Sequence, residues 1–290
     1  LTFQQVISGD DDFAVHLNGA RQLRSIRKRW KIVSGQTRQL NEISTFLTLL
    51  ARTTAIKTPS VELQYGENGA SSGDDLVEQS NTCYEYMYGV TPMIATAIQE
   101  TCRLAEILAQ YGDVHDIPDP LLQACEELGE RLQSWHLASE RPAPIPAGDD
   151  EMLAIFTHHA NAWHCAALLY YYRRIQNCHA ADLVREVDLI ADHMHAVEDT
   201  KVRSKSECIR RTAPITWPMF VASCDAVGAS RDRCRKWWER VERYGISNIS
   251  RQWEVVQQIW EKMEEIRLNG NDTTSWMDAF VSLDIKLLPV

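Results

Sequence analysis

Nine histidines and eight cysteines are the residues of this 290-residue chain best suited to metal or nucleophilic chemistry. Their spacing argues against a metal site. The cysteines stand at 83, 102, 125, 165, 178, 208, 224 and 234. A local zinc loop needs two thiolates two to four residues apart, and no such pair occurs. His158, His159 and His164 fall in one helical stretch, and His193 and His195 in the next. A two-histidine helical site wants partners four apart, whereas spacings of five, six and two put these rings on different faces. Asp10, Asp11 and Asp12 open like the Mg²⁺-binding acids of an all-α prenyl-diphosphate enzyme, but Phe13-Ala14 follows, so the third carboxylate is missing. Those acids, and Asp149-Asp150-Glu151, read as helix starts, where carboxylates meet the positive end of the dipole. Phosphate-cradling glycine loops and the G-x-S-x-G elbow are absent, so no catalytic residue, cofactor or metal is expected in this chain.

Aromatic residues are the more suggestive feature. Trp163, Tyr170, Tyr171 and Tyr172 share one helix, followed by Trp217, Phe220, Trp237, Trp238, Trp253 and Trp260. Most such stripes are core. Trp163, Tyr170, Tyr171 and Trp217 combine apolar bulk with a polar tip, and are the candidates to line an inter-helical pocket for a small-molecule effector.

Composition narrows the class. With 44% hydrophobic and 24% charged residues the chain is globular, and a net charge of −10 disfavours contact with a phosphate backbone except through a local basic patch. Two runs qualify by charge, Arg21 to Lys31 and Arg231 to Lys236, and both read as solvated helix faces. The best apolar run, Ala160 to Tyr172, carries Asn161 and His164 and then meets Arg173-Arg174, so no membrane span is expected. The start at Leu1 lacks a basic and apolar leader, and is expected to be that of a processed or truncated chain. Scattered cysteines point to a reducing compartment.

The elements that must carry these residues are helical. Phe13, Leu17, Ala20, Leu23, Ile26 and Trp30 recur at gaps of three and four behind an Asp10–Asp12 cap. Further helices are predicted over 41–54, 92–111 (stopped by Gly112), 119–137, 151–177, 180–199, 217–227, 230–244, 248–268 and 276–283, with a long loop over 57–82. The 151–177 helix is apolar all round and should run through the core. Pro142, Pro144 and Pro146 mark a linker at 140–149 between possible halves 1–139 and 150–290. The expected architecture is all-α, a single large domain of about ten helices. Asp225 is expected to pair with Arg231 or Arg233. Gly19-Ala20, and Ala222, Ser223 and Ala226, offer narrow faces for close helix approach.

Four segments together resemble one family. Phe13 to Ala20 is similar to the aromatic-x-x-His-Leu-x-Gly-Ala opening of the regulatory region of fungal zinc-cluster transcription factors. Glu85 to Pro92 looks like its acidic-x-hydrophobic-aromatic-Gly segment. Ala166 to Ile175 resembles its core helix ending in Arg-Arg, and Trp217 to Ala226 its Trp-Pro signature, with Ser223 for the usual Gly and Asp225 for the usual Glu. The resemblance implies a nuclear regulator of RNA polymerase II transcription rather than an enzyme. It implies that DNA contact and zinc belong to an N-terminal module outside this chain. Implied partners are a metabolite effector, a second copy in a homodimer and transcriptional co-regulators, with no membrane. A helical protein–protein scaffold without a ligand is the alternative reading, and the prenyl-diphosphate enzyme a remote one.

Overall fold

Prolines and short polar caps set where the helices begin. The computed structural model describes residues 13–27, 34–56, 88–111, 114–140, 145–146, 148–269 and 275–290. Helix α1 is Phe13–Arg27 and α2 is Gly35–Thr54. The start of α2 lies six residues before the expected Asn41, because Ser34 caps it: its Oγ accepts from the Thr37 N–H at 3.2 Å. Pro92 opens α3, Pro92–Leu108, and Asp119-Pro120 opens α4, Asp119–Gln133. Asp149 caps α5, Asp150–Arg174, by accepting from the Met152 N–H at 3.0 Å.

A 3₁₀ turn at Ala180–Leu183 leads into α6, Val184–Arg203. The short α7, Glu207–Arg210, was not expected from periodicity, since one turn carries none; Ser206 caps it. Helix α8 is Trp217–Asp225 and α9 is Ala229–Val241. Gly228 occupies the N-cap position of α9 at φ +54°, and the Ser230 hydroxyl donates to Asp188 on α6 at 2.8 Å. Gly245, at φ +65°, ends the following 3₁₀ turn before α10, Ser247–Leu268. A capping box between Ser275 and Asp278 opens α11, Trp276–Ser282. Eleven α-helices and no strand are present among the described residues, an all-α fold.

Helix α5 forms the axis. Ala160, Ala162, Trp163, Ala166, Ala167, Leu169, Tyr170 and Tyr171 are all buried along it. It runs against α6 over much of its length, and α3, α4 and α8 pack on its other sides. Helix α8 is buried at every position and also meets α6 and α10. Helices from both sides of the Pro-rich segment therefore share one continuous core. Gly19 offers no close helix crossing among the described residues, since a Cβ added there would meet nothing within 4 Å. The Asp10–Asp12 cap, Trp30, Lys28, Arg29 and Lys31, the 57–82 loop, Gly112, residues 85–87 of the second family segment and most of the linker lie outside the described residues.

Candidate functional site

Three of the four candidate pocket residues converge. The Trp163 and Trp217 rings stack with centroids 5.0 Å apart and 11° between planes, and Tyr170 meets Trp217 edge-on at 5.9 Å. Phe46 on α2 closes the other side of Trp163 at 5.7 Å, with Tyr88 beyond it. Each polar tip has a partner. Trp163 Nε1 donates to the Tyr88 carbonyl at 2.7 Å, and Trp217 Nε1 to Thr53 Oγ1 at 2.9 Å. The Tyr170 hydroxyl donates to the Thr53 carbonyl at 3.1 Å. Thr53, near the end of α2, thus anchors rings from α5 and α8. Trp163 and Trp217 have no solvent exposure, and the cluster is packed ring on ring. Burial pushes the Tyr170 hydroxyl well above its usual range.

Tyr171 faces elsewhere. Its hydroxyl donates to the Cys125 carbonyl on α4 at 2.9 Å and lies against Gly129, where an added Cβ would come within 2.5 Å of it. A second aromatic layer follows on α9 and α10. Trp238 stacks on Trp253 at 6.0 Å, with Trp237 and Trp260 edge-on to their neighbours. Ser223 serves two of these indoles. Its hydroxyl accepts from Trp238 Nε1 at 2.9 Å, and its carbonyl from Trp260 Nε1 at 2.7 Å. The small residue at this position is therefore a hydrogen-bonding hub as well as a narrow contact.

Asp225 does not pair with Arg231 or Arg233. Its Oδ1 lies 2.8 Å from Arg173 Nε, and its Oδ2 accepts from Trp276 Nε1 at 3.1 Å. Arg173 also donates to Ser275 Oγ at 3.1 Å and to the Cys178 carbonyl. Arg231 instead pairs with Glu264, Arg233 with Asp188 and Asp192, and Arg235 with Asp232. That basic run is thereby balanced by neighbouring acids. Burial pushes the Asp225 carboxyl up to about 7, against the pull of Arg173 and the Trp276 indole.

Charged and titratable groups also gather along α6, which packs against both α5 and α9. Lys201 and Glu198 are both buried and paired at 2.8 Å, and Glu198 further holds Arg243 at 3.0 Å and the Tyr244 hydroxyl at 2.9 Å. Burial lowers the Lys201 pKa, opposed by Glu198. His159 is buried with Nε2 unpartnered, and burial, with Lys201 and His158 nearby, lowers its pKa to about 3. His158 and His193, on α5 and α6, meet Nδ1 to Nδ1 at 3.0 Å. Spacing along one helix missed this pair because it forms between helices. A cavity of about 460 Å³ lies elsewhere, between α3 and α4, lined by polar residues that include Glu100, Arg103, Glu127 and Arg131. Among the described residues no cluster of three or more metal-ligating side chains occurs, and no helix is long and apolar enough to cross a membrane.

A family model described as "fungal specific transcription factor domain" matches residues 1–290. No curated protein and no solved structure matches the chain.

Proposed function

The chain belongs to the fungal-specific transcription factor domain family, and we propose that it is the regulatory, effector-response region of a zinc-cluster transcription factor acting in the nucleus. The observation that carries this reading is the family match over all 290 residues. The role is regulatory, not catalytic, in the control of RNA polymerase II transcription. DNA and zinc are handled by a separate N-terminal module. Co-regulators and a second copy of the chain are its protein partners.

Effector sensing is assigned to the aromatic cluster of Trp163, Tyr170 and Trp217, with Tyr171 on the neighbouring face of the same helix. Ligand control requires different affinities for two conformations. The cluster joins α2, α5 and α8 through Thr53, so a small apolar molecule with a polar end, inserted among the rings, would shift three helices together. A scaffold working through protein contacts alone is the second reading, favoured by the closed packing of Trp163 and Trp217.

The test is a reporter assay with residues 1–290 fused to an unrelated DNA-binding module. The regulatory reading expects transcription to differ from that of the module alone, and an unchanged output would overturn it. Sensing further expects a growth-condition-dependent output that Trp217→Phe alters. An output that is altered by the fusion but constant across conditions, and indifferent to Trp217→Phe, selects the scaffold.

A further inference from the structure

Among the described residues, helices α5 and α6 form the most extensive helix pair, and His158 and His193 sit across their seam. Both side chains are partly exposed, so water reaches the pair. Their Nδ1 atoms are 3.0 Å apart, with ring centroids at 5.3 Å and planes tilted by 50°. In the ion-free protein this contact is a hydrogen bond in which one Nδ1 donates and the other accepts.

The same spacing is a chelate bite. Nitrogens 3.0 Å apart, each about 2.0–2.1 Å from a shared ion, subtend roughly 90–100° at it. That is the cis angle of square-planar or octahedral coordination, which among imidazole-preferring ions suits Ni²⁺ and Cu²⁺ better than tetrahedral Zn²⁺. Both rings are disposed to be neutral, the state a metal needs, because burial disfavours their charged forms.

We propose that His158 and His193 form a two-histidine site for a first-row divalent cation of the Ni²⁺ or Cu²⁺ type, with water filling the remaining positions. Binding converts the donating ring from its Nδ1–H to its Nε2–H tautomer by proton exchange with water, so that two neutral imidazoles each present an Nδ1 lone pair with no net proton release. It requires both rings to turn their lone pairs off the line between the nitrogens to one side. With two protein ligands the site is exchangeable, and its effect is to staple α5 to α6. It is independent of the regulatory reading.

The probe is NiCl₂ added to the purified chain under thermal unfolding, with calorimetric titration to count sites. The expected result is a saturable rise in Tm with one ion bound per chain. His158→Gln and His193→Gln should each weaken half-saturation by about tenfold or more, since even an outer partner of a metal ligand is worth about that. His136→Ala and His179→Ala, on exposed histidines elsewhere, should bind as wild type. Cys208→Ser should as well, which separates the pair from the exposed thiol. Circular dichroism of the Gln variants without metal distinguishes lost binding from lost folding; where a Gln variant does not fold, the corresponding His→Asn variant is titrated instead. Absence of a saturable shift, or one that survives both histidine substitutions, would overturn the proposal and leave a hydrogen-bonded pair only.

Discussion

Arg173 and Asp225 form a buried ion pair that joins the end of α5 to the end of α8. Arg173 stands in the Tyr-Arg-Arg segment and Asp225 in the Trp-Pro segment, so the two stretches that most define the sequence resemblance meet in space. Nε and Oδ1 approach off the N–H direction, and neither atom makes an aligned hydrogen bond, so the contact rests on charge. Ser275 and Trp276 extend the link to α11. Substituting one partner strands the other. Arg173→Met is therefore expected to destabilise the fold in urea unfolding, and to do so more at pH 8, where Asp225 would have to stay charged, than at pH 5, where it takes up a proton. A paired replacement by apolar residues of similar volume should recover much of that loss. A single substitution costing no more than an exposed pair would refute the burial argument.

Gly89 sits at φ +66°, where an added Cβ would lie 2.5 Å from the Cβ of His159. Gly89→Ala therefore combines left-handed strain of roughly 1–2 kcal/mol with a clash against a helix side chain that has little room to move. The expected outcome is a lowered urea midpoint with an unchanged m-value.

Gly129 separates propensity from packing. It lies inside α4, where Ala would ordinarily gain ~1 kcal/mol. Here the new methyl meets the Tyr171 hydroxyl at 2.5 Å and threatens its bond to the Cys125 carbonyl. Gly129→Ala is expected to destabilise, and Tyr171→Phe to relieve part of that effect. A double-mutant cycle measures the coupling. Equal effects of Gly129→Ala in both backgrounds would show that the hydroxyl is not the obstacle.

Ser223→Ala removes the acceptor of the Trp238 indole and leaves a buried N–H unpaired, at a cost of about 1–3 kcal/mol. Combining it with Trp238→Phe removes the unpaired donor, so the double variant should lose less than the two single losses added together. Simple additivity would show that the hydrogen bond carries nothing.

Much of the helical order is legible in the sequence because its signals are local. Pro92 and Pro218 mark starts, Gly245 marks an end, and the all-round apolar pattern of 151–177 places α5 at the axis. Long-range pairings are not legible in this way. Asp225 has Arg231 and Arg233 within reach along the chain, yet it turns to Arg173, 52 positions earlier, because α8 lies wholly inside and faces α5. The His158–His193 contact is hidden for a related reason: helical spacing reports which residues share a face, and says nothing of which faces meet. Of the proposed pocket, the union of Trp163, Tyr170 and Trp217 follows from their bulk on apolar helices. The separation of Tyr171 follows from its place on the α4 side of α5.

Acid stability offers two opposed tests. The pKa of His159 is lowered to about 3 from 6.5, chiefly by burial, with Lys201 and His158 adding to it. The unfolded chain takes up a proton there that the folded chain refuses. The stability this group confers is present above pH 6.5 and is lost as pH falls toward 3. His158, His164 and His193 shift the same way. Asp225 opposes them: its pKa is raised from 3.8 to about 7, so its contribution is full below pH 3.8 and is lost as pH rises through 7. With four histidines against one carboxyl, net stability is expected to fall on acidification from pH 6.5 to 4. His159→Phe should make that slope shallower, because one refused proton is gone. Asp225→Asn should make it steeper, because the opposing carboxyl is gone. The measurement is urea unfolding across that range in all three proteins, and parallel slopes would refute both assignments.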